Sequence, residues 1–421
     1  MAARDLPIRP DLDQLKHQAK ELLRDLRRGD PAAVADLQEF HPEVIDPPGA
    51  KLADAQLVLA RSYGATSWPR LVLACRVIDA IWHDDVRALR TEISKDPHVL
   101  GESALLRSRN WGAPMSYAAN IGRDRIVRVL HDLGATDHQY AIGRAMLQGQ
   151  IGTARLLHAL AGAPPLPNDA LGGPAYTLSA SGTEYAFELG ARAVDDSGRM
   201  IAPVDVVLET DSRKPGAKHA ILETYVRHGA TLPDTAPMAI HRGRIDLLEA
   251  HLQRDPSLLR RTFAHDEIFP AALGCHDEVL ATHGTPLNGA TLLHLAIDYD
   301  ELEIARWLLE QGMDPDSRAV VDADGFGGHT PLFATVVSQP NFWMNLHHKA
   351  QVAPMTELLL DRGADPNARA SLRKELHPGY GAEGMHEYRD ITPLGWGEQF
   401  HRQIFVSRPA MKLITDRGGH V

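Results

Sequence analysis

The sequence predicts an all-α fold: an array of paired helices over residues 77–421, preceded by a small helical domain at 1–76. Three observations carry that prediction. The stretch "GATLLHLAIDYDELEIARWLLEQGMDPDSR" (289–318) holds two helix-length amphipathic segments in close succession. Its ending, apolar residues followed after a few positions by glycine, recurs along the chain. The apolar fraction is 44% but only 6% of residues are aromatic, so the core is built from Leu, Ala, Val and Ile, which suits packed helices.

The N-terminal block reads as four helices. "DLDQLKHQAKELLRDLRRGDP" turns Leu12, Leu15, Ala19, Leu22, Leu23 and Leu26 inward and breaks at Gly29-Asp30-Pro31, where the Asp-Pro pair starts a second helix. "KLADAQLVLARSYG" supplies a third. "TSWPRL" starts a fourth, with Ser67 as its cap and Pro69 in its first turn.

In the stretch at 289–318, Thr291 caps a helix carrying Leu293, Leu295, Ala296 and Ile297. A second helix presents Leu302, Ile304, Ala305, Leu308 and Leu309 and stops at Gly312, a residue that accepts the left-handed backbone of a helix C-terminus. The same ending falls at Gly134, Gly162, Gly229, Gly284, Gly312, Gly363 and Gly418, with steps of 28, 67, 55, 28, 51 and 55 residues. The step of 67 fits two units, and the longer single steps fit a unit plus an insertion, so the repeat is irregular. A self-match supports it: Val86, Leu89, Ile93, Asp96, Pro97 and Leu100 recur as Ile245, Leu248, Leu252, Asp255, Pro256 and Leu259.

These residues resemble the ankyrin repeat. Its first-helix signature is similar to "HTPLFAT" (329–335), "ITPLGWG" (391–397), "GATLLHLA" (289–296) and, more loosely, "GAPMSYAA" (112–119); its second helix is similar to "LEIARWLLEQGMDPD" and "MTELLLDRGADPNAR". The Thr-to-His hydrogen bond of the motif is available only at Thr291 and His294, and Gly397 stands where a small alanine is usual. The block at 1–76, with "ADAQ", "ARSYG" and "SWPRL", resembles a helical segment that precedes ankyrin arrays in bacterial proteins. The resemblance implies a solenoid that recognises a protein partner through its concave face and loop tips.

Several other classes are excluded or disfavoured. The net charge is −11 and Lys and Arg are scattered, so no nucleic-acid partner is expected. The first residues do not form a secretion signal, no run of eighteen apolar residues occurs, and Cys75 and Cys275 stand alone; a cytoplasmic protein with no membrane partner is expected. Twenty-two histidines raise the question of metal, but neither HExxH nor a paired-cysteine pattern is present, and the "HDD" and "HDE" triplets read as polar turns. The glycine-rich "GFGGHTPL" (325–332) lies at a turn before a helix, and "SASGTEYAF" lacks the spacing of a nucleophile elbow. No metal and no cofactor are expected.

Two insertions, near 338–354 and 370–390, enlarge consecutive repeats. They bring Phe342, Trp343, His347, His348, His377, Tyr380, His386, Glu387 and Tyr388, with Trp396 close behind. Long loops rich in aromatics are usually functional rather than disordered. A cap or protein contact is the favoured reading. The alternative is an enzyme or small-molecule receptor, with His347, His348, His386 and Glu387 as candidates for catalysis and Phe342, Trp343, His377, Tyr380, Tyr388 and Trp396 for binding.

Overall fold

The computed structural model describes residues 4–107, 110–167, 169–276, 284–347, 349, 352–375 and 384–421. His348, His377 and Tyr380 lie outside the described residues. The backbone groups into two compact units, Met1–Gly173 and Pro174–Val421. Among the described residues no helix is long and apolar enough to cross a membrane.

The first unit contains α1 (Leu12–Arg28), α2 (Pro31–Phe40), α3 (Leu52–Ser62), α4 (Trp68–Trp82), α5 (Val86–Ile93), α6 (Pro114–Asn120), α7 (Asp124–Asp132), α8 (His138–Leu147) and α9 (Ile151–Leu160). Asp11 caps α1 by accepting the N–H groups of Asp13 and Gln14 at 2.8 and 3.1 Å, and Leu15, Ala19, Leu22 and Leu26 form its buried stripe. Ser67 caps α4, accepting from the Arg70 N–H at 3.3 Å. α4 runs through positions 76 and 77, packing on α1 and α3 and also on α5 and α6. Two helix pairs follow, with α6 on α8 and α7 on α9.

The second unit opens within α10 (Gly172–Thr177) and continues with α11 (Ala180–Glu188), α12 (Val204–Glu209), α13 (Pro215–Arg227), α14 (Ala236–His241), α15 (Ile245–Arg254), α16 (His265–Ile268), α17 (Leu292–Asp298), α18 (Leu302–Glu310), α19 (Pro331–Val336), α20 (Gln339–Leu346), α21 (Pro354–Asp361), α22 (Pro393–Gln399) and α23 (Arg408–Asp416). The first helices α14, α17, α19 and α22 pack in succession, as do the second helices α18, α21 and α23. Each pair thereby buries a face it could not cover alone. The self-match holds in detail. Asp96 and Asp255 each cap a short 3-10 turn, Pro97–Leu100 and Pro256–Leu259, accepting from His98 and Ser257 at 3.2 and 3.0 Å.

All seven glycines of the repeat ending have positive φ, from 78° at Gly162 to 119° at Gly284. The step of 67 residues contains one more such ending, Gly190 at φ 95°, which follows α11 and divides the step into 28 and 39. The sequence there, "AFELG", lacks the paired aliphatic residues that mark the others. Gly397 answers to packing instead, since a Cβ there would sit 2.6 Å from Val336 Cγ1 and 3.0 Å from Met411 Sδ.

The helical reading holds for the array and departs at the insertions. The first insertion carries α20, capped by Ser338. The second forms an antiparallel pair, β1 (Ala370–Lys374) and β2 (His386–Ile391), with Leu372 opposite Tyr388 and Lys374 opposite His386. Alternate residues of β1 are buried, a period of two that helical spacing does not detect.

Gly363 has φ 89° and open space where a Cβ would lie, so its demand for glycine is purely conformational. Gly363→Val is expected to destabilise by at least about 1 kcal/mol. Asp361→Val, which loses only an exposed pair with Arg417 at 2.7 Å, is expected to cost less; urea melts of the two variants make the comparison.

Candidate functional site: a groove between loop tips and hairpin

The turns that precede the first helices lie side by side in the second unit and are joined through their backbones. Phe263 N–H donates to Ala290 at 2.8 Å, Val320 N–H to Gly289 at 2.9 Å, and Gly327 N–H to Ser371 in β1 at 2.6 Å. The finger at 319–329 closes on itself through Ala319 N–H to His329 at 3.0 Å and Asp322 N–H to Phe326 at 2.8 Å. Gly327 is required here. Its φ is 119°, and a Cβ would lie 2.0 Å from the Val320 carbonyl oxygen.

Charge fixes the finger to the hairpin. Arg373 bonds Asp322 at 2.7 Å and Asp324 at 2.9 Å, while the guanidinium groups of Arg373 and Arg389 lie 5.0 and 4.2 Å from the Phe326 ring centre. Between these parts runs a groove of about 690 Å³, lined by Phe263, Pro286, Val320, Phe326, Leu372 and Met385 together with Glu267, Asn288 and Lys374. Val320 and Met385 are 52% and 54% exposed. Such apolar side chains among polar neighbours are what a protein-binding surface offers.

His329 lies beneath the groove. It is buried, donates from Nε2 to the Pro286 carbonyl at 3.0 Å, and leaves Nδ1 without a partner. Its ring meets His294 edge to face at 5.1 Å. His294 completes the motif: Nδ1 lies 2.8 Å from Thr291 Oγ1, and Nε2 donates to the His329 carbonyl at 3.1 Å. Burial holds both imidazoles neutral, pushing His294 well below the ordinary value and His329 down to about 4.

The residues singled out in the two insertions fall into two groups. Trp343 donates from Nε1 to the Asp211 carbonyl at 2.6 Å and stacks on His347 at 5.9 Å. His386 instead stacks on His401 at 3.8 Å, and the Tyr388 hydroxyl lies 2.6 Å from His401 Nδ1. Tyr388 also meets the buried Trp396 edge to face at 4.8 Å, and Trp396 Nε1 donates to Thr285 Oγ1 at 3.0 Å. Glu387 is exposed and pairs with Arg389 at 3.1 Å. Phe342 stacks on Phe405 at 4.8 Å, which lies 6.1 Å from Phe400 and links the two groups through packing. His347 and His386 share no hydrogen bond, ion pair or ring contact. Among the described residues no cluster of three or more His, Cys, Asp or Glu is arranged to hold a metal.

The second unit also contains a buried polar network that the sequence does not announce. Arg213 and Asp298, each 1% exposed, pair at 2.8 Å. Lys218 donates to His241 Nδ1 at 2.6 Å, His241 Nε2 donates to the Ile268 carbonyl at 3.1 Å, and the Lys218 ammonium lies 3.4 Å from the Tyr299 ring centre. Burial pushes both Lys218 and His241 well below their ordinary values. Arg213 and Lys218 come from one segment and His241 and Asp298 from two others, so the sequence gave no signal of this meeting.

The ankyrin repeat family model matches residues 288–319. No curated protein matches the chain. Among solved structures, the ankyrin repeat domain of human ASB11 is 18% identical, covering 73% of this chain and 99% of that one, with a TM-score of 0.24. The ankyrin repeat domain of Bcl-3 is 13% identical, covering 82% and 97%, with a TM-score of 0.20. The fold is the all-α ankyrin-repeat arrangement of helix pairs, carried by the matched repeat and by the stacking of its neighbours.

His329 gives a pH dependence with a definite sign. Its folded-state value of about 4 lies below the ordinary 6.5, so the unfolded chain binds more protons between these values and stability falls as pH drops through that window. Unfolding free energy at pH 5 is expected to be about 2 kcal/mol lower than at pH 7.5 on account of this residue. His329→Phe should flatten that part of the profile in urea melts.

Proposed function

We propose that the protein is a non-catalytic binding module that holds a partner protein through its concave face and loop tips, with an extended segment of the partner seated in the groove between finger and hairpin. The groove itself carries this reading. Its walls are aligned by backbone hydrogen bonds and by the Arg373 contacts, so little ordering remains to be done on binding. Its exposed apolar groups, Val320 and Met385, face a rim of mixed charge. In this reading residues 1–76 are a small N-terminal helical domain ahead of the repeats, and the protein acts in the cytoplasm. Of the aromatic side chains of the insertions, Tyr388, packed on Trp396, supports the wall of this surface through its pairing opposite Leu372, by packing rather than by catalysis.

The test is site-specific photocrosslinking. A crosslinker at Val320 or Met385 is expected to capture one partner saturably in a lysate, and a crosslinker at the exposed Val44 is expected to miss it. Val320→Asp should weaken that partner's binding at least tenfold with little change in melting temperature. Equal capture at all three positions, or an unchanged affinity for the Val320→Asp protein, overturns the reading.

A further inference from the structure

The charge of the chain is not shared between its two units. Residues 1–173 hold 21 Lys and Arg against 21 Asp and Glu, whereas residues 174–421 hold 23 against 34, so the whole net charge of −11 belongs to the second unit. That unit attracts cationic partners from a distance.

The excess reaches the groove. Its lining shares Phe263 and Glu267 with a neighbouring cleft of about 500 Å³ that extends past Asp255 and Asp266 to the turn ahead of α14. The arginines and the lysine on this combined lining are all committed. Arg373 lies between Asp322 and Asp324, Arg261 pairs with Glu267 and sits 4.9 Å from the Phe263 ring centre, Arg254 reaches Asp234 at 3.5 Å, and Lys374 is buried. Carboxylates are left over. Among the described residues the exposed Asp266 and the half-buried Glu375 make no hydrogen bond or ion pair through their side chains, and the exposed Asp255 accepts from the Ser257 N–H at 3.0 Å but pairs with no cation.

We propose that the segment seated in the groove is basic: an extended stretch of a partner protein whose Lys or Arg side chains reach Glu375 at the hairpin and Asp266 and Asp255 in the adjoining cleft, while an apolar side chain rests on Val320 and Met385. This choice of segment rests on the groove being the binding surface proposed above. A single exposed ion pair contributes little, so the apolar contact supplies the hold and the charges supply the speed of encounter and the choice of partner. An acidic segment is repelled by the same carboxylates. Salt screens the charged part of the interaction and spares the apolar part.

The probes are three fluorescein-labelled peptides in which Val alternates with Lys, with Glu or with Gln, titrated into the full chain by fluorescence anisotropy. The Lys peptide is expected to saturate and to bind at least about tenfold tighter than the Gln peptide at about 50 mM salt, with the ratio falling below about threefold at about 500 mM, and the Glu peptide is expected not to bind. Asp266→Asn combined with Glu375→Gln removes no internal contact, so the variant should fold and should weaken the Lys peptide at least about fivefold. Glu303→Gln combined with Asp416→Asn, the same loss of charge at exposed sites outside the lining, should leave it unchanged. Circular dichroism of each variant reports folding. The proposal is overturned if the Lys peptide does not saturate, if the Gln or Glu peptide matches it, or if the Asp266 and Glu375 changes weaken it no more than the changes outside the lining. In any of these cases, saturable capture of a lysate partner by a crosslinker at Val320 still upholds the groove as a binding surface, and absence of capture there overturns both.

Discussion

A pair of short helices cannot bury its own apolar face, and the rest of the structure depends on that constraint. Leu302–Glu310 is amphipathic, with Ile304, Ala305, Leu308 and Leu309 buried only because neighbouring helices cover them. Stacking leaves the turns on one side and the helix ends on another, so both recur in register. It also forces every pair to end in a backbone that can reverse within a few residues. That is why positive φ marks the glycines after second helices, and why Asp300, between a first and a second helix, adopts the same region.

Stacking through small aliphatic residues leaves room for a second kind of contact. Where α13, α14 and α17 meet, Arg213, Lys218, His241, Asp298 and Tyr299 replace apolar packing with a buried polar network that leaves only Asp298 Oδ1 of its carboxylate without a hydrogen bond. Burial of ions is justified only when partners are close and well oriented. Here the cations lie over one aromatic ring, with Asp298 paired to Arg213, and His241 remains neutral. The network joins these helices through directed contacts of a kind that interchangeable Leu and Ala packing does not make.

The array was legible in the sequence because its determinants are local. Thr291, His294 and Gly312 each act within a few residues of their own position, and the Asp-Pro turns at 96 and 255 repeat the same chemistry. Gly190 escaped because "AFELG" uses aromatic and acidic residues where its counterparts use aliphatic pairs. The site was legible only in outline. The insertions stood out by length and aromatic content, but which side chains meet was decided by segments far away: His386 by His401, Trp343 by Asp211, Trp396 by Thr285. The groove was harder still to read, because Phe263, Val320 and Met385 are ordinary residues brought together by backbone pairing between separate turns.

The hairpin shows how one insertion serves both the stack and the surface. β2 packs on α22 and sends Tyr388 against Trp396, so its buried side belongs to the aromatic packing of the last pair. β1 sends Arg373 to Asp322 and Asp324, and Leu372 and Lys374 line the groove. The antiparallel register ties these roles together, since Leu372 lies opposite Tyr388 and Lys374 opposite His386. A change that loosens Tyr388 from Trp396 must therefore also move the wall of the groove. Through that register, the packing of a repeat core governs the shape of the groove.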